Sequence, residues 1–442
     1  MTAEIATETA SPHVVSAHAP MSVFGAAALV AGSMIGSGVY LLPASLGAMG
    51  SISILGWGAA TAAALVLAGM FAQLATAAPD ARGVAGYVQA GLGQFLGIWA
   101  TVAYWASCWV GVAALALAAA GYAGYLVPAL APMGPRLVTM LAVIWAAVAA
   151  CWLGPRLVGR VEGVTLVAGL APVLLVAVAG WLWFDPAVFT HSWNPTGAGL
   201  FSATRSSALT AFWAFLGLEC AAAAAGAVRD PVRNVPRATL GGVAIAAALY
   251  VAACAVLMGL MPAAELARSS APFADATRAT VGVGGAGLIA ICAFLRTAGC
   301  TTGWVLVTSE TSREAADQGA FPAFFRTRPG ERASAINLVT TGVLMSAVTL
   351  LTATPTLGSQ FSALASVTVV LSLSTYLLAG FSLLRMRGAL PTPRQRSVAA
   401  ATAVVAIACA GALIASATLK DLGLSLISLA IAAGLYLMLR RR

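Results

Sequence analysis

The run GSMIGSGVYLLP (residues 32–43) lies in the middle of an apolar segment that extends from about residue 22 to residue 47. Its small residues are Gly32, Ser33, Gly36, Ser37 and Gly38. Each glycine weakens a helix by about 1 kcal/mol relative to alanine. In a bilayer, an unwound stretch is tolerated only where it lines a protein cavity. A surface for close helix packing is the alternative interpretation, but the tight clustering favours an interrupted helix.

The composition excludes an ordinary soluble protein. Of the 442 residues, 60% are hydrophobic and 8% are charged, whereas soluble domains carry about 25% charged residues. Uncharged runs such as residues 163–184 and 398–419 are close to the roughly 20 residues that a helix needs to cross a bilayer. The alternating strands of a membrane barrel are not evident. The sequence therefore predicts an all-α integral membrane protein.

We predict twelve transmembrane helices. They lie near residues 22–47, 53–77, 88–113, 135–153, 162–184, 206–227, 239–262, 283–307, 335–353, 360–384, 397–417 and 421–439. A third helix that continues through Tyr122 and Tyr125 is the alternative. We expect residues 1–21 to form a cytoplasmic tail, residues 22–388 a core of ten helices, and residues 389–442 the last two helices with the cytoplasmic C-terminus.

The basic residues predict the orientation. With a cytoplasmic N-terminus, seventeen arginines fall in inner loops and the C-terminal tail, and five basic residues fall outside. The outer five are Arg136, Arg205, Arg268, Arg278 and Lys420. Cytoplasmic loops of membrane proteins are enriched in Lys and Arg. We therefore expect a multi-pass protein of a bacterial-type cytoplasmic (inner) membrane, with the lipid bilayer as its surroundings and both termini in the cytoplasm.

The net charge of +9 does not indicate a nucleic-acid partner, because the charges lie between apolar segments rather than along one helix face. The first 20 residues lack a basic region before a cleavage site, so we expect no cleaved signal peptide. The seven cysteines all lie in apolar segments without the paired spacing of a metal site. We expect neither metal nor cofactor. A homodimer is one alternative for the oligomeric state.

A second candidate interruption lies in the sixth span, in the run WAFLGLE (residues 213–219). The first and sixth spans are five apart, as expected for two five-helix inverted repeats followed by two further helices. Paired interruptions at corresponding positions of two halves indicate a binding site near the middle of the membrane. This pairing is the main sequence observation that favours a transporter.

Two ionisable residues lie deep in predicted spans. Glu219 has apolar neighbours, so it should face a cavity, pair with a cation or be protonated part of the time. The alternative roles of Glu219 are a proton site, a gate latch, a counter-charge for a cationic substrate and a purely structural pair. Arg296 cannot lose its proton and needs a partner. We predict that this partner is Glu219, and that Glu162 forms an interfacial pair beside Arg160.

Four aromatic residues are candidates for a substrate cage: Tyr104, Trp213, Trp304 and Tyr376. An ammonium or guanidinium group over such rings gains about 1–2 kcal/mol when it is desolvated. Most aromatic residues of membrane proteins instead belong to interfacial belts, an assignment that suits Trp181, Trp183 and Trp193.

Together these runs resemble the amino acid–polyamine–organocation superfamily. The resemblance rests on residues 36–43, 213–219, 230–236 and 104–109, and extends from the first through the tenth span. Within the superfamily it is closest to the basic amino acid/polyamine antiporters, particularly the arginine/agmatine exchangers. It implies the LeuT-type fold of five plus five inverted helices, with helices 1 and 6 broken.

The resemblance also implies a site. The substrate-binding candidates are Ser33, Met34, Gly36, Ser37, Gly38, Tyr104, Ser107, Cys108, Val112, Trp213, Leu216, Trp304 and Thr368. A substrate carboxylate would meet Ser37 and Gly38, and its amino group the carbonyls of Trp213 and Leu216. The candidates for gating and coupling are Trp213, Glu219, Arg296 and Tyr376, with Glu219 and Tyr376 as the inner gate.

Three positions depart from the arginine/agmatine pattern. Ser33 and Val112 replace amide side chains, and Arg296 adds a positive charge where the exchanger has glycine. Lost hydrogen-bonding groups weaken selectivity for arginine. The resemblance therefore supports exchange more firmly than it supports arginine.

The function predicted from the sequence is exchange of small-molecule amino acids or their amine products by alternating access. Arginine/agmatine-like antiport is the leading hypothesis for the substrate pair. A proton- or sodium-coupled permease of broader, neutral specificity is the alternative. An intramembrane enzyme would need a catalytic cluster at depth, and the only histidines, His13, His18 and His191, lie outside the spans. A channel would need a polar pore lining, and only isolated polar residues occur.

Overall fold

The structure is a computed structural model, and it describes residues 23–36, 38–81, 83–219, 231–327, 333–354 and 356–440. Throughout these residues the regular secondary structure is helical. Backbone amides in hydrocarbon must be satisfied within their own segment, and a helix achieves this. An apolar chain of this composition therefore folds as packed helices.

The described helices follow one another with short connections. In chain order they are α1 (Val23–Met34), α2 (Gly38–Gly47), α3 (Ile54–Ala77), α4 (Gly83–Leu92), α5 (Gln94–Leu126), α6 (Met133–Leu153), α7 (Pro155–Ala179), α8 (Pro186–His191), α9 (Leu200–Phe212), α10 (Pro231–Leu260), α11 (Ala263–Leu266), α12 (Pro272–Asp317), α13 (Ala335–Leu351), α14 (Leu357–Met386), α15 (Pro393–Ile414) and α16 (Leu419–Arg440).

Eight of these helices are long and apolar enough to cross a membrane: α3, α5, α6, α7, α10, α12, α14 and α15. Two shorter helices, α2 and α13, are also apolar. Each of the twelve predicted segments contains helical residues. A chain with eight such helices is a multi-pass membrane protein, while the count of twelve spans and the inverted repeat stay predictions.

The third predicted span was placed too early in the chain. The separate helix α4 occupies its beginning, and α5 continues to Leu126, so the longer alternative through Tyr125 is correct. A loop was expected at residues 308–334, but α12 continues through its first third to Asp317. Gly282, with φ 71°, bends the same helix near its start. The helices α5 and α12 both continue beyond the length needed to cross a bilayer, so the apolar pattern did not mark their ends.

The first segment is interrupted where its glycines cluster. Helix α1 ends at Met34, and α2 begins at Gly38. The amide of Gly36 donates to the Met34 carbonyl at 2.7 Å, a tight turn in place of a helical bond. Ser37 lies outside the described residues. The interruption follows from the weak helix propensity of this run.

The sixth segment is interrupted as well. Helix α9 ends at Phe212, a 3₁₀ turn covers Trp213–Phe215, and Leu216 has extended backbone angles (φ −63°, ψ 136°). Gly217 then adopts φ 101°, a left-handed conformation that favours glycine. Residues 220–230 lie outside the described part of the chain, so the interruption is established up to Glu219.

Helix α5 is the most enclosed of the eight long helices. It packs against α12 and α14, and α12 in turn packs against α7. These four helices surround the interruptions of the first and sixth segments, so they position the candidate site.

Candidate functional site

A narrow cavity lies between the two interruptions. Its described lining consists of Met34, Gly36, Gly38, Ser107, Gly111, Leu115, Trp213, Ala214, Leu216, Cys300, Trp304, Thr368 and Ser372. The lining comes from both interrupted segments and from α5, α12 and α14. Ends of interrupted helices present backbone groups without intrahelical partners to such a cavity.

Glycines allow the two interrupted segments to approach each other. A Cβ atom on Gly38 would lie 2.6 Å from Cδ1 and Nε1 of Trp213. A Cβ atom on Gly36 would lie 2.8 Å from the Sγ of Cys300. Real Cβ atoms do not come this close to a neighbour, so both positions require glycine to keep the walls of the cavity in place.

Eight of the predicted substrate-binding residues line the cavity: Met34, Gly36, Gly38, Ser107, Trp213, Leu216, Trp304 and Thr368. Ser37 and the side chain of Ser33 lie outside the described part of the structure. Tyr104 contacts Glu219 rather than the described cavity wall. The assignment of all these residues to substrate binding stays a prediction.

Cys108 and Val112 lie outside the described lining, although the sequence predicted them in the site. Ser107, Gly111 and Leu115 share one face of α5, because they are spaced four residues apart. Cys108 and Val112 are each one residue further along and so roughly 100° around the helix. Both are almost completely buried.

Five lining residues were missed by the sequence analysis: Gly111, Leu115, Ala214, Cys300 and Ser372. Helical spacing could have found most of them. Gly111 is four residues after Ser107, Cys300 is four before Trp304, and Ser372 is four after Thr368. Residues four apart lie on the same helix face.

Glu219 is held by three donors at one end of the cavity. The hydroxyl of Tyr104 donates to Oε1 at 2.8 Å, and the hydroxyl of Tyr376 donates to Oε2. The backbone amide of Gly217 also donates to Oε2 at 3.1 Å. The carboxyl group therefore joins α5, α14 and the interrupted sixth segment, as a latch would.

A second, larger space lies at the other end of the same helices. Its lining includes Ser45 of α2, Gly121 of α5, Leu357 of α14 and two arginines, Arg136 and Arg268. The distribution of basic residues predicts that this end of the helices faces outward. We call it the outer cavity.

We call Glu219 with its two tyrosine partners the latch. Helices α5 and α14 both run past the latch, the cavity and the outer cavity, and they meet these three features in opposite orders. Along α5 the sequence is Tyr104, then Ser107 to Leu115, then Ala120 to Gly124. Along α14 it is Leu357, then Thr368 and Ser372, then Tyr376. Two antiparallel helices thus hold the Glu219 latch, the cavity and the outer cavity in one line along their length.

The predicted pair of Arg296 with Glu219 is wrong. The Nη1 atom of Arg296 lies 3.0 Å from Oε2 of Glu162, on α7. Glu162 had been assigned to an interfacial pair beside Arg160, and that assignment is wrong as well. The two residues are 134 positions apart in the chain, so only the packing of α7 against α12 brings them together.

Comparison with known proteins places the chain among transporters. The model of the amino acid permease family matches residues 21–437. The putrescine transporter PotE of Haemophilus influenzae is 34% identical over 351 residues, which cover 78% of this chain and 80% of the relative. The cadaverine/lysine antiporter of Escherichia coli K12 is 32% identical over 377 residues, covering 83% and 84%.

These matches extend over most of each protein, and the described helices and cavity agree with a membrane carrier. The chain belongs to the amino acid–polyamine–organocation superfamily and, within it, to the basic amino acid/polyamine antiporter family. This result confirms the resemblance that residues 36–43 and 213–219 carried.

Proposed function

We propose that the protein exchanges a basic amino acid for an amine across the cytoplasmic membrane by alternating access. The observation that carries this proposal is the cavity between two interrupted helices, with the Glu219 latch beyond one end of it and the outer cavity beyond the other. Such a site at the middle of a membrane is typical of carriers that rock around a fixed substrate.

The backbone supplies the recognition in this proposal. Helix α2 begins at Gly38, so the amides of its first turn have no intrahelical partners and attract a carboxylate. Ala214 and Leu216 of the interrupted sixth segment also line the cavity, and in this proposal their carbonyl groups accept hydrogen bonds from an ammonium. The rings of Trp213 and Trp304 bound the space for the substrate side chain.

The relatives favour aliphatic substrates with two amino groups. One is a putrescine transporter, and another is a cadaverine/lysine antiporter. We therefore place putrescine, ornithine, lysine and cadaverine before arginine and agmatine, the pair to which the sequence resemblance first pointed.

Broader transport of neutral amino acids is the second candidate, and one observation favours it. The lining contributed by described residues carries no carboxylate that could pair with a second ammonium group. In addition, Arg136 and Arg268 place positive charge in the outer cavity, where it repels cations. Both features suit a substrate without net positive charge.

Counterflow into proteoliposomes tests the proposal and separates the candidates. Vesicles preloaded with lysine, ornithine, arginine, putrescine or agmatine should take up the labelled partner substrate, whereas empty vesicles and vesicles preloaded with leucine should not. Equal uptake into empty vesicles would contradict exchange. Preference for leucine would favour the second candidate.

Two variants tie this transport to the site. Trp213→Leu removes the aromatic ring that packs against Gly38 in the cavity wall, and Glu219→Ala removes the carboxyl group of the latch. Both variants should abolish counterflow, while their elution on gel filtration should be unchanged. Trp152→Leu is the matched control, because Trp152 is 64% exposed on α6. Wild-type counterflow in Trp213→Leu would exclude this cavity as the substrate site.

A further inference from the structure

Arg296 is fully enclosed, with 1% of its surface exposed, and all three of its guanidinium nitrogens donate hydrogen bonds. Nε donates to the Ile35 carbonyl at 2.7 Å and Nη2 to the Gly32 carbonyl at 3.4 Å. Nη1 donates to Glu162 at 3.0 Å. Two of the three acceptors thus belong to the end of α1, where the first segment is interrupted.

Carbonyl groups at this end need a positive partner. Helix α1 ends at Met34, and the Gly36 amide bonds to the Met34 carbonyl, so the Gly32 carbonyl lacks the helical amide that would follow it four residues later. The carbonyls at this end carry the partial negative charge of the helix C-terminus. In carriers with discontinuous helices, such carbonyls bind the mobile coupling cation. In this protein, the guanidinium of Arg296 donates hydrogen bonds to the carbonyls at this end of α1.

The surrounding glycines make room for this arrangement. A Cβ atom on Gly169 of α7 would overlap the side chain of Arg296, and one on Gly303 of α12 would overlap the carboxylate of Glu162. Each helix of the pair therefore has a glycine opposite the charged side chain of the other. The pair is built into the contact between α7 and α12.

The charge at this place is permanent, because arginine does not lose its proton in proteins. It is also close to the substrate cavity. Cys300 lies one turn after Arg296 on the same helix face and lines the cavity, and its Sγ contacts Gly36 at the interruption.

We propose that Arg296 is a resident cation, which holds the carbonyl end of α1 in place of a mobile metal ion. Arg296 is then a positioning residue that acts through Ile35 and Gly36 on the shape of the cavity. The transport half of this proposal rests on the proposed function: exchange should need neither Na⁺ nor K⁺. The binding half does not: removal of the guanidinium should leave a site for a small cation.

The binding half is tested on purified protein in detergent, without transport. The Tm is measured in NaCl, KCl, guanidinium chloride and choline chloride at equal, low concentration. For Arg296→Ala, we expect Na⁺, K⁺ or guanidinium to raise the Tm by about 3 °C over choline, because a cation that binds only the folded state stabilises it. The wild type and Arg313→Ala, which removes a surface arginine of the same helix, should show no such rise.

Two results would overturn the binding half. One is a folded Arg296→Ala protein whose Tm responds to these cations no more than that of the wild type. The other is a wild-type Tm that rises with Na⁺ as much, since the carbonyls would then be open to a metal ion. If Arg296→Ala does not fold in any of the salts, Arg296→Gln takes its place in the same measurement.

The transport half is tested by counterflow. Wild-type exchange should be equal in Na⁺ and choline media. Arg296→Lys keeps the charge and should stay within about threefold of wild type, whereas Arg296→Gln keeps length and a donor without charge and should lose at least roughly tenfold. Wild-type rates for Arg296→Gln in choline would refute a role for the charge. If the wild type transports no panel substrate, the proposed function fails, and the Tm measurement still decides the cation site.

Discussion

Glu219 and Arg296, two buried ionisable residues of the membrane region, are held in opposite ways. Glu219 accepts hydrogen bonds from two tyrosine hydroxyls, of Tyr104 and Tyr376, and from one backbone amide. Arg296 donates to two backbone carbonyls and to the carboxylate of Glu162. The partners of Glu219 that we describe are neutral, whereas one partner of Arg296 carries the opposite charge.

This difference separates a contact that can open from one that stays closed. When the tyrosines move away from Glu219, neutral hydroxyls are left behind, and water can replace them at modest cost. When Arg296 moves away, it leaves a carboxylate and two carbonyls without their cation, which is far more expensive in a membrane protein. We therefore assign movement to the Glu219 end and rigidity to the Arg296 end.

The largest expected effect is on stability. Arg296→Ala should lower the free energy of unfolding by about 3 kcal/mol in choline medium, because it leaves two backbone carbonyls and the partly exposed carboxylate of Glu162 without their cation. Glu219→Ala should cost about 1–2 kcal/mol, since it leaves only neutral donors. Thermal unfolding in detergent measures both. A Glu219→Ala protein less stable than Arg296→Ala would reverse our assignment of the rigid end.

The second expectation concerns the glycine that makes room for Arg296. Gly169→Ala should destabilise the protein by about 1–3 kcal/mol, because the added methyl group overlaps the Arg296 side chain. Gly163→Ala is the matched control on the same helix. It meets nothing within 4 Å, so it should change stability by less than about 1 kcal/mol and in the stabilising direction. Equal losses of stability in the two variants would contradict a specific role of Gly169 in making room for Arg296.

The sequence predicted the interruptions well, because their cause is local. Gly36, Gly38 and Gly217 weaken or bend the helix that contains them, and no knowledge of neighbouring helices is needed to see this. The latch of Glu219 and Tyr376 came from the family resemblance, and the structure brings the two side chains together. These features depend on short runs of residues.

The partner of Arg296 could not be predicted in this way. Glu162 is 134 positions away, and the pairing depends on how α7 and α12 are rotated about their axes. The same limit explains Cys108 and Val112: α5 is buried on nearly all sides, so its apolar pattern does not indicate which face meets the cavity. Gly169 and Gly303 mark the faces by which α7 and α12 contact each other, but this role is evident only from the contacts between the two helices in the structure.

The third expectation tests the movable end. Tyr376→Phe removes one hydrogen bond from Glu219, worth about 1 kcal/mol, so the closed latch should become roughly fivefold less favoured. The population of outward-facing protein then falls, and the external substrate concentration for half-maximal counterflow rises by a similar factor. Tyr104→Phe should act in the same direction but less, because Tyr104 is only partly buried and water can take its place.

A double variant identifies the source of this effect. If Tyr376 acts through the latch, Tyr376→Phe should add little to Glu219→Ala in the Tm measurement, because the acceptor is already gone. Additive losses would mean that the tyrosine stabilises the protein through other contacts.

The smallest expected effect comes from a surface arginine, and it shows how much burial matters in this comparison. Arg313 pairs with Glu310 at 2.6 Å and with Asp317 at 2.7 Å, distances as short as that of the buried pair, but 30% of its side chain is exposed. Exposed pairs contribute about 0–1 kcal/mol and are screened by salt. Arg313→Gln should therefore shift the Tm in detergent by no more than about 2 °C, and added choline chloride should erase that shift. A loss as large as that of Arg296→Ala would mean that the number of ion pairs, rather than their enclosure between α7 and α12, determines which arginine the fold depends on.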